Sequence, residues 1–113
     1  MATLATQEIT RAGVQVTYAA CNAGGDKFTP SKDTFIHVKN TNAATRTVTI
    51  VSTGTSIGLA VADPAVVVAA TTGDNMIGPF PPDIFANSAD GLCDLTYSAV
   101  TNLSIAVFRL SKP

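Results

Sequence analysis

Tryptophan is absent from this 113-residue chain, histidine occurs once and cysteine twice, and each scarcity closes off a class of function. A hydrolytic triad needs a base beside its nucleophile and an acid to orient it. The one imidazole, His37, sits in the middle of a strand-like run, and no neighbour in sequence supplies a partner. It reads as a strand histidine facing solvent or an interface. Transition-metal sites want clustered Cys and His, whereas Cys21, His37 and Cys93 stand apart at no ligand spacing. The expectation is no enzyme, no metal and no cofactor.

Charge is scarce as well. Asp, Glu, Lys and Arg make up 13% of the chain, about half of the roughly 25% in an ordinary soluble domain. The seven basic residues are scattered and offset by eight acids, which leaves no stripe to neutralise a run of phosphates and argues against nucleic acid. No apolar run approaches the ~18 residues of a membrane span. The first eight residues lack the basic start and apolar stretch of a secretion signal. A chain made in a cytosol, with no membrane partner, is expected. There, two widely separated cysteines read as small buried hydrophobes more readily than as a disulfide.

What remains is apolar: 46% of residues are hydrophobic and the mean hydropathy is +0.30. With few charges to solvate the surface, the excess belongs to a core and to interfaces, so the chain reads as one that assembles. Its length predicts one domain, with residues 1–20 as an N-terminal arm or first strand and 21–113 as a β-sandwich.

Thr, Val and Ala dominate, and β-branched residues favour strands over helices. Thr34–Asn40 alternates, with Ile36 and Val38 facing one way and His37 and Lys39 the other. Asn40–Ala44 makes a turn, and Arg46–Ser52 repeats the pattern with Val48 and Ile50 inward, so the two segments read as a hairpin. Residues 53–58 read as a loop, and Asp63-Pro64 excludes a helix there. Ala65–Ala70 and Met76–Phe80, around the polar turn Thr72–Asn75, give a second hairpin signal. Pro79, Pro81 and Pro82 move the end of that stretch to an edge or a crossover, and a short turn follows at Asp83–Phe85. Cys93, Leu95 and Tyr97 share the inward face of Leu92–Ser98. Many short strands with no helical stretch between them predict an all-β fold, an antiparallel β-sandwich or jelly roll.

The remaining polar features have ordinary readings. Asp63, Asp74, Asp83, Asp90 and Asp94 lie mostly beside Gly, Pro or Asn, where short carboxylates bond the backbone of turns. Gly24-Gly25-Asp26 lacks the strand-to-helix setting of a phosphate loop. Aromatics such as Tyr18, Phe28, Phe35, Phe80, Phe85 and Tyr97 serve packing, since no pair stands out as a sugar-stacking platform.

The last run, Leu103–Leu110, is apolar on both sides: Leu103, Ile105 and Val107 on one face, Ala106, Phe108 and Leu110 on the other. A small antiparallel sheet normally leaves one face to water, so the second face of this strand needs a cover. Two covers are open, a neighbouring subunit or the chain's own N-terminal segment, in which Ile9, Val14, Val16 and Tyr18 are spaced to lie on a sheet.

The segments Ile9-Thr-Arg-Ala-Gly13, Tyr18-Ala-Ala20, Ala23-Gly-Gly-Asp26, His37-Val-Lys-Asn40, Ile77-Gly-Pro-Phe80 and Leu95-Thr-Tyr-Ser-Ala-Val100 together resemble small structural proteins of tailed bacteriophages, nearly from end to end. The resemblance implies a capsid decoration, or cement, protein on the outside of the virion head. In that reading it is made in the host bacterial cytoplasm, trimeric near threefold positions, and partnered by the major capsid protein. Other virion parts (a head fibre base, a tail tube component or a head-tail joining protein) and a carbohydrate-binding sandwich are the alternatives. On this reading the trimer face is placed on Ala106, Phe108 and Leu110. The capsid contact is placed on Ile9, Arg11, Val14, Val16, Tyr18, Lys27, Phe28 and Lys32, which lie outside the regular hairpins.

Overall fold

A computed structural model describes residues 2–53, 55–56, 59–60, 62–87 and 89–110. The strands are β1 (Ala2–Thr3), β2 (Thr6–Ile9), β3 (Ala19–Ala20), β4 (Asp26–Phe28), β5 (Thr34–Asn40), β6 (Arg46–Ile50), β7 (Thr55–Ser56), β8 (Leu59–Ala60), β9 (Ala65–Val68), β10 (Gly73–Ile77), β11 (Cys93–Tyr97) and β12 (Leu103–Leu110). Among the described residues there is one short helix, α1 (Pro82–Phe85), which starts on proline, whose missing N–H costs nothing at a helix start. Of the stretch read as a loop, 55–56 is the strand β7, and positions 54, 57 and 58 lie outside the described residues.

Two sheets pack face to face. The first has the order β1-β4-β11-β6-β9, the second β10-β5-β12-β2, with β3 also on β12; β7 and β8 pair only with each other. The all-β sandwich is the expected fold class, but the sheets are mixed. β1 runs parallel to β4 and β2 parallel to β12, both at sheet edges, while the other pairs are antiparallel. The strand alternation read from sequence is present residue by residue: Ile36 and Val38 of β5, Val48 and Ile50 of β6, Cys93 and Leu95 of β11, and Leu103, Ile105 and Val107 of β12 fill the interior.

Neither expected hairpin exists. β5 pairs with β10 and β12 in one sheet, while β6 pairs with β9 and β11 in the other. The chain between them crosses the sandwich instead of folding back. Asn40, fully buried, holds this corner. Its amide donates to the carbonyls of Ala44, at 3.0 Å, and Ala69, at 3.1 Å, and its oxygen accepts from the Asn42 amide. β9 and β10 likewise belong to different sheets, joined by a corner so tight that a Cβ on Gly73 would collide with the Ala69 carbonyl. Period-two alternation looks the same whether neighbouring strands pair or face each other across a core, which is why sequence favoured the wrong partner. Beyond β10, the proline-rich stretch and α1 carry the chain from one sheet to the other. There Phe80 packs edge-on to Phe28, centroids 4.9 Å apart, and to Phe85 at 5.5 Å, closing one end of the core.

Candidate functional site

The surface with most chemistry is the outer face of the second sheet. On β5 and β12 the side chains that point away from the interior are Phe35, His37 and Lys39, and Ser104, Ala106, Phe108 and Leu110. Phe35 and Phe108 stack with centroids 5.4 Å apart. Burying such a pair needs a cover, and the chain provides it. After β2, an exposed turn at Thr10–Gly13, with Gly13 at φ +88°, reverses the backbone. Residues 14–18 then run back as a strap to β3, which pairs with Ser104 and Ile105. Ala106 and Phe108 are each 3% exposed as a result.

Three sets of contacts fasten the strap. The Gln7 side chain donates to the Thr17 carbonyl at 2.8 Å and accepts from the Thr17 amide at 2.9 Å, imitating a ladder pair. The Tyr18 hydroxyl lies 2.5 Å from Nδ1 of His37, and Nε2 of the same ring is in hydrogen-bond contact with the Asp74 carboxylate on β10. The Lys39 ammonium lies 4.4 Å from the centre of the Tyr18 ring, within cation–π range. A groove of about 360 Å³ remains beside the strap, lined by Ile9, Val14, Val16, Phe35, Met76 and Phe108, with Tyr18 and His37 at its polar end.

Phenol, imidazole and carboxylate thus form a continuous hydrogen-bonded chain. It resembles the order of a catalytic triad, but the phenol faces apolar side chains and Asp74 lies on an edge strand, 56% exposed. Its evident work is to orient Tyr18. No group of three or more His, Cys, Asp and Glu side chains is placed to hold a metal ion among the described residues. The sequence reading missed this constellation because Tyr18, His37 and Asp74 come from three distant segments: the β5–β10 register sets Asp74 diagonal to His37, and the pairing of β3 with β12 brings in Tyr18.

The expected contact residues fall into separate places. Ala106 and Phe108 are covered by the chain's own strap, which corrects the expectation that a second subunit hides them, whereas Leu110 is 54% exposed. Ile9, Val14, Val16 and Tyr18 line the groove, and Arg11 stands exposed in the turn beside it. Lys27 is on the outer face of the opposite sheet, paired with Asp90 at 2.6 Å. That hydrogen bond is the main cause that raises the lysine and lowers the carboxyl. Lys32 is exposed in the loop before β5. Phe28 is wholly buried between Phe80 and the core, so its side chain is out of reach of another molecule.

Besides Asn40, the interior holds a polar cluster around Asp26. Asp26, 1% exposed, accepts from the Tyr97 hydroxyl at 2.7 Å and the Asn22 amide at 3.2 Å, while its second oxygen has no partner. Burial pushes the neighbouring Cys21 thiol up to about 12, with a Tyr97 hydrogen bond opposing and the Asp26 charge adding. Burial also raises Tyr97, and lifts Cys93 to about 12 with help from Asp94. Both cysteines are free and buried. Such thiols are inert packing groups.

No protein-family model, curated protein or solved structure matches the chain.

Proposed function

We propose that this protein is a non-enzymatic virion component, a decoration protein that binds the major capsid protein on the outside of a tailed-phage head and does so as a homotrimer. The observation that carries the reading is the strapped face. Val14, Met76 and Leu110 are exposed around it at 39%, 62% and 54%, on a chain where only 13% of residues are charged. Apolar side chains gathered around a groove mark surfaces that meet other proteins. The resemblance of the segments around Ile9, Tyr18, His37 and Ile77 to phage structural proteins supplies the kind of partner.

A ligand that binds the finished shell and not its free subunits stabilises the shell by mass action, and three linked copies add avidity to modest single contacts. The test is to mix purified protein with expanded and unexpanded capsids that lack it, sediment them and count bound copies. Many copies on expanded heads is the expected result. Binding to neither form, or only at a single vertex, removes the decoration role.

A further inference from the structure

The N-terminal strands sit on the body in an unusual way. All three lie at sheet edges: β1 on β4, β2 and β3 on β12. Ala2, Thr3, Thr6 and Glu8 are exposed, and Leu4 is the one arm side chain packed against the core. The two pairings made by residues 2–9 are the parallel ones, the weaker kind per residue. Against β12 the arm leaves a cleft of about 320 Å³, lined by Leu4, Ala5, Gln7, Ile105 and Ala106 among others. What fixes the arm is specific but polar. The Leu4 amide donates to the Lys27 carbonyl at 2.7 Å, Gln7 pairs with Thr17, and Arg109 donates to Glu8 at 2.8 Å. Just beyond β2 comes the turn at Thr10–Gly13, in which Gly13 has open space around it.

From these observations we infer that residues 2–9 are an exchangeable arm: in the assembled protein each copy lays its β1 and β2 along β4 and β12 of the next copy. The occupant of that edge is the same segment supplied by a neighbour, so every contact of the closed chain is kept. Only the exposed turn has to open. Exchange of an identical element is a low-cost route to oligomers, and a head-to-tail exchange that closes forms a ring. In the exchange residues 2–9 are taken up by pairing with the neighbour, so the gap between copies is bridged by the opened turn, whose four residues 10–13 span about 13 Å when extended. The inference rests on the homotrimer proposed above and adds which element joins its copies.

Engineered disulfides test it. Glu8 and Arg109 are register partners, and so are Thr3 and Lys27 on the other sheet. One variant carries Glu8→Cys with Arg109→Cys, a second carries Thr3→Cys with Lys27→Cys, so that a folding failure in one leaves the other. Cys21 and Cys93 are buried and stay out of the oxidation. After mild oxidation, light scattering gives the native mass and a non-reducing denaturing gel gives the covalent mass. The exchanged arm predicts that most of the protein runs at multiples of the chain mass. A trimeric particle whose chains run singly, each bridged within itself, overturns the exchange and leaves the trimer standing. A particle that is monomeric by light scattering overturns both.

Discussion

β12 is buried on both sides, and its two sides are buried by different means. Toward the interior, Leu103, Ile105 and Val107 meet the opposite sheet in a cluster in which Ile36, Ile50 and Leu95 are fully buried. On the outside, Ala106 and Phe108 lie under a single irregular strap held by an amide pair, a phenol–imidazole bond and a lysine over a ring. The inner side is closed by area, the outer side by a few directed contacts. Ala106 and Phe108, each 3% exposed, lie within a few per cent of the core residues, so burial alone hardly tells the two apart. What separates them is how much structure must move to uncover each.

Four measurements sharpen or break that contrast. The largest effect is on the thiols. With Cys21 and Cys93 raised from 9.0 to about 12, the thiolate population near neutral pH falls about a thousandfold, so a thiol reagent should label the native protein only through opening. Because both folded values are raised, the stability these two thiols contribute is fully present below pH 9 and is lost as pH climbs toward 12. Urea midpoints at pH 8 and pH 10.5 check the sign, and equal midpoints would contradict it. Next, Leu95→Ala should cost about 3 kcal/mol, as a cavity in a closed interior.

Phe108→Ala should cost about 2 kcal/mol, because the strap can settle toward Phe35 and refill part of the space. Should chemical denaturation show Phe108→Ala costing as much as Leu95→Ala, the outer layer is a second core and the distinction falls. For the same reason a charged residue at 108 reports on folding first and on assembly only afterwards. The smallest change is Tyr18→Phe, which removes one hydrogen bond worth about 1 kcal/mol. Faster hydrogen exchange confined to residues 14–18 is the expected signature, and uniform acceleration across β5 and β12 would mean that the strap and sheet open together.

Much of this arrangement was legible in the residues. β5 was readable to its ends because alternation there is uninterrupted, β12 because its apolar run is nearly continuous, and the two-sided character of Leu103–Leu110 predicted a cover. The choice between a neighbour and the chain's own Val14, Val16 and Tyr18 was not legible. It depends on whether Thr10–Gly13 turns back, and a turn of that composition is compatible with either course. Strand pairing was misread at both expected hairpins because Asn40 and Gly73 act as corners through burial and close approach, which local pattern does not encode. The Tyr18–His37–Asp74 chain was invisible for a related reason: a lone histidine gains partners only from register between strands distant in sequence.

One consequence concerns biosynthesis. β5 has β10 on one side and β12 on the other, and β2 and β3 have β12 alone to pair with. A ribosome delivers residues 2–20 long before 103–110, so the early strands must wait unpaired until nearly all of these residues have emerged. Nascent chains stalled short of Leu103 therefore present a naked β5 flank, the kind of template on which polypeptides clump, and it is the pairing of β12 that covers it.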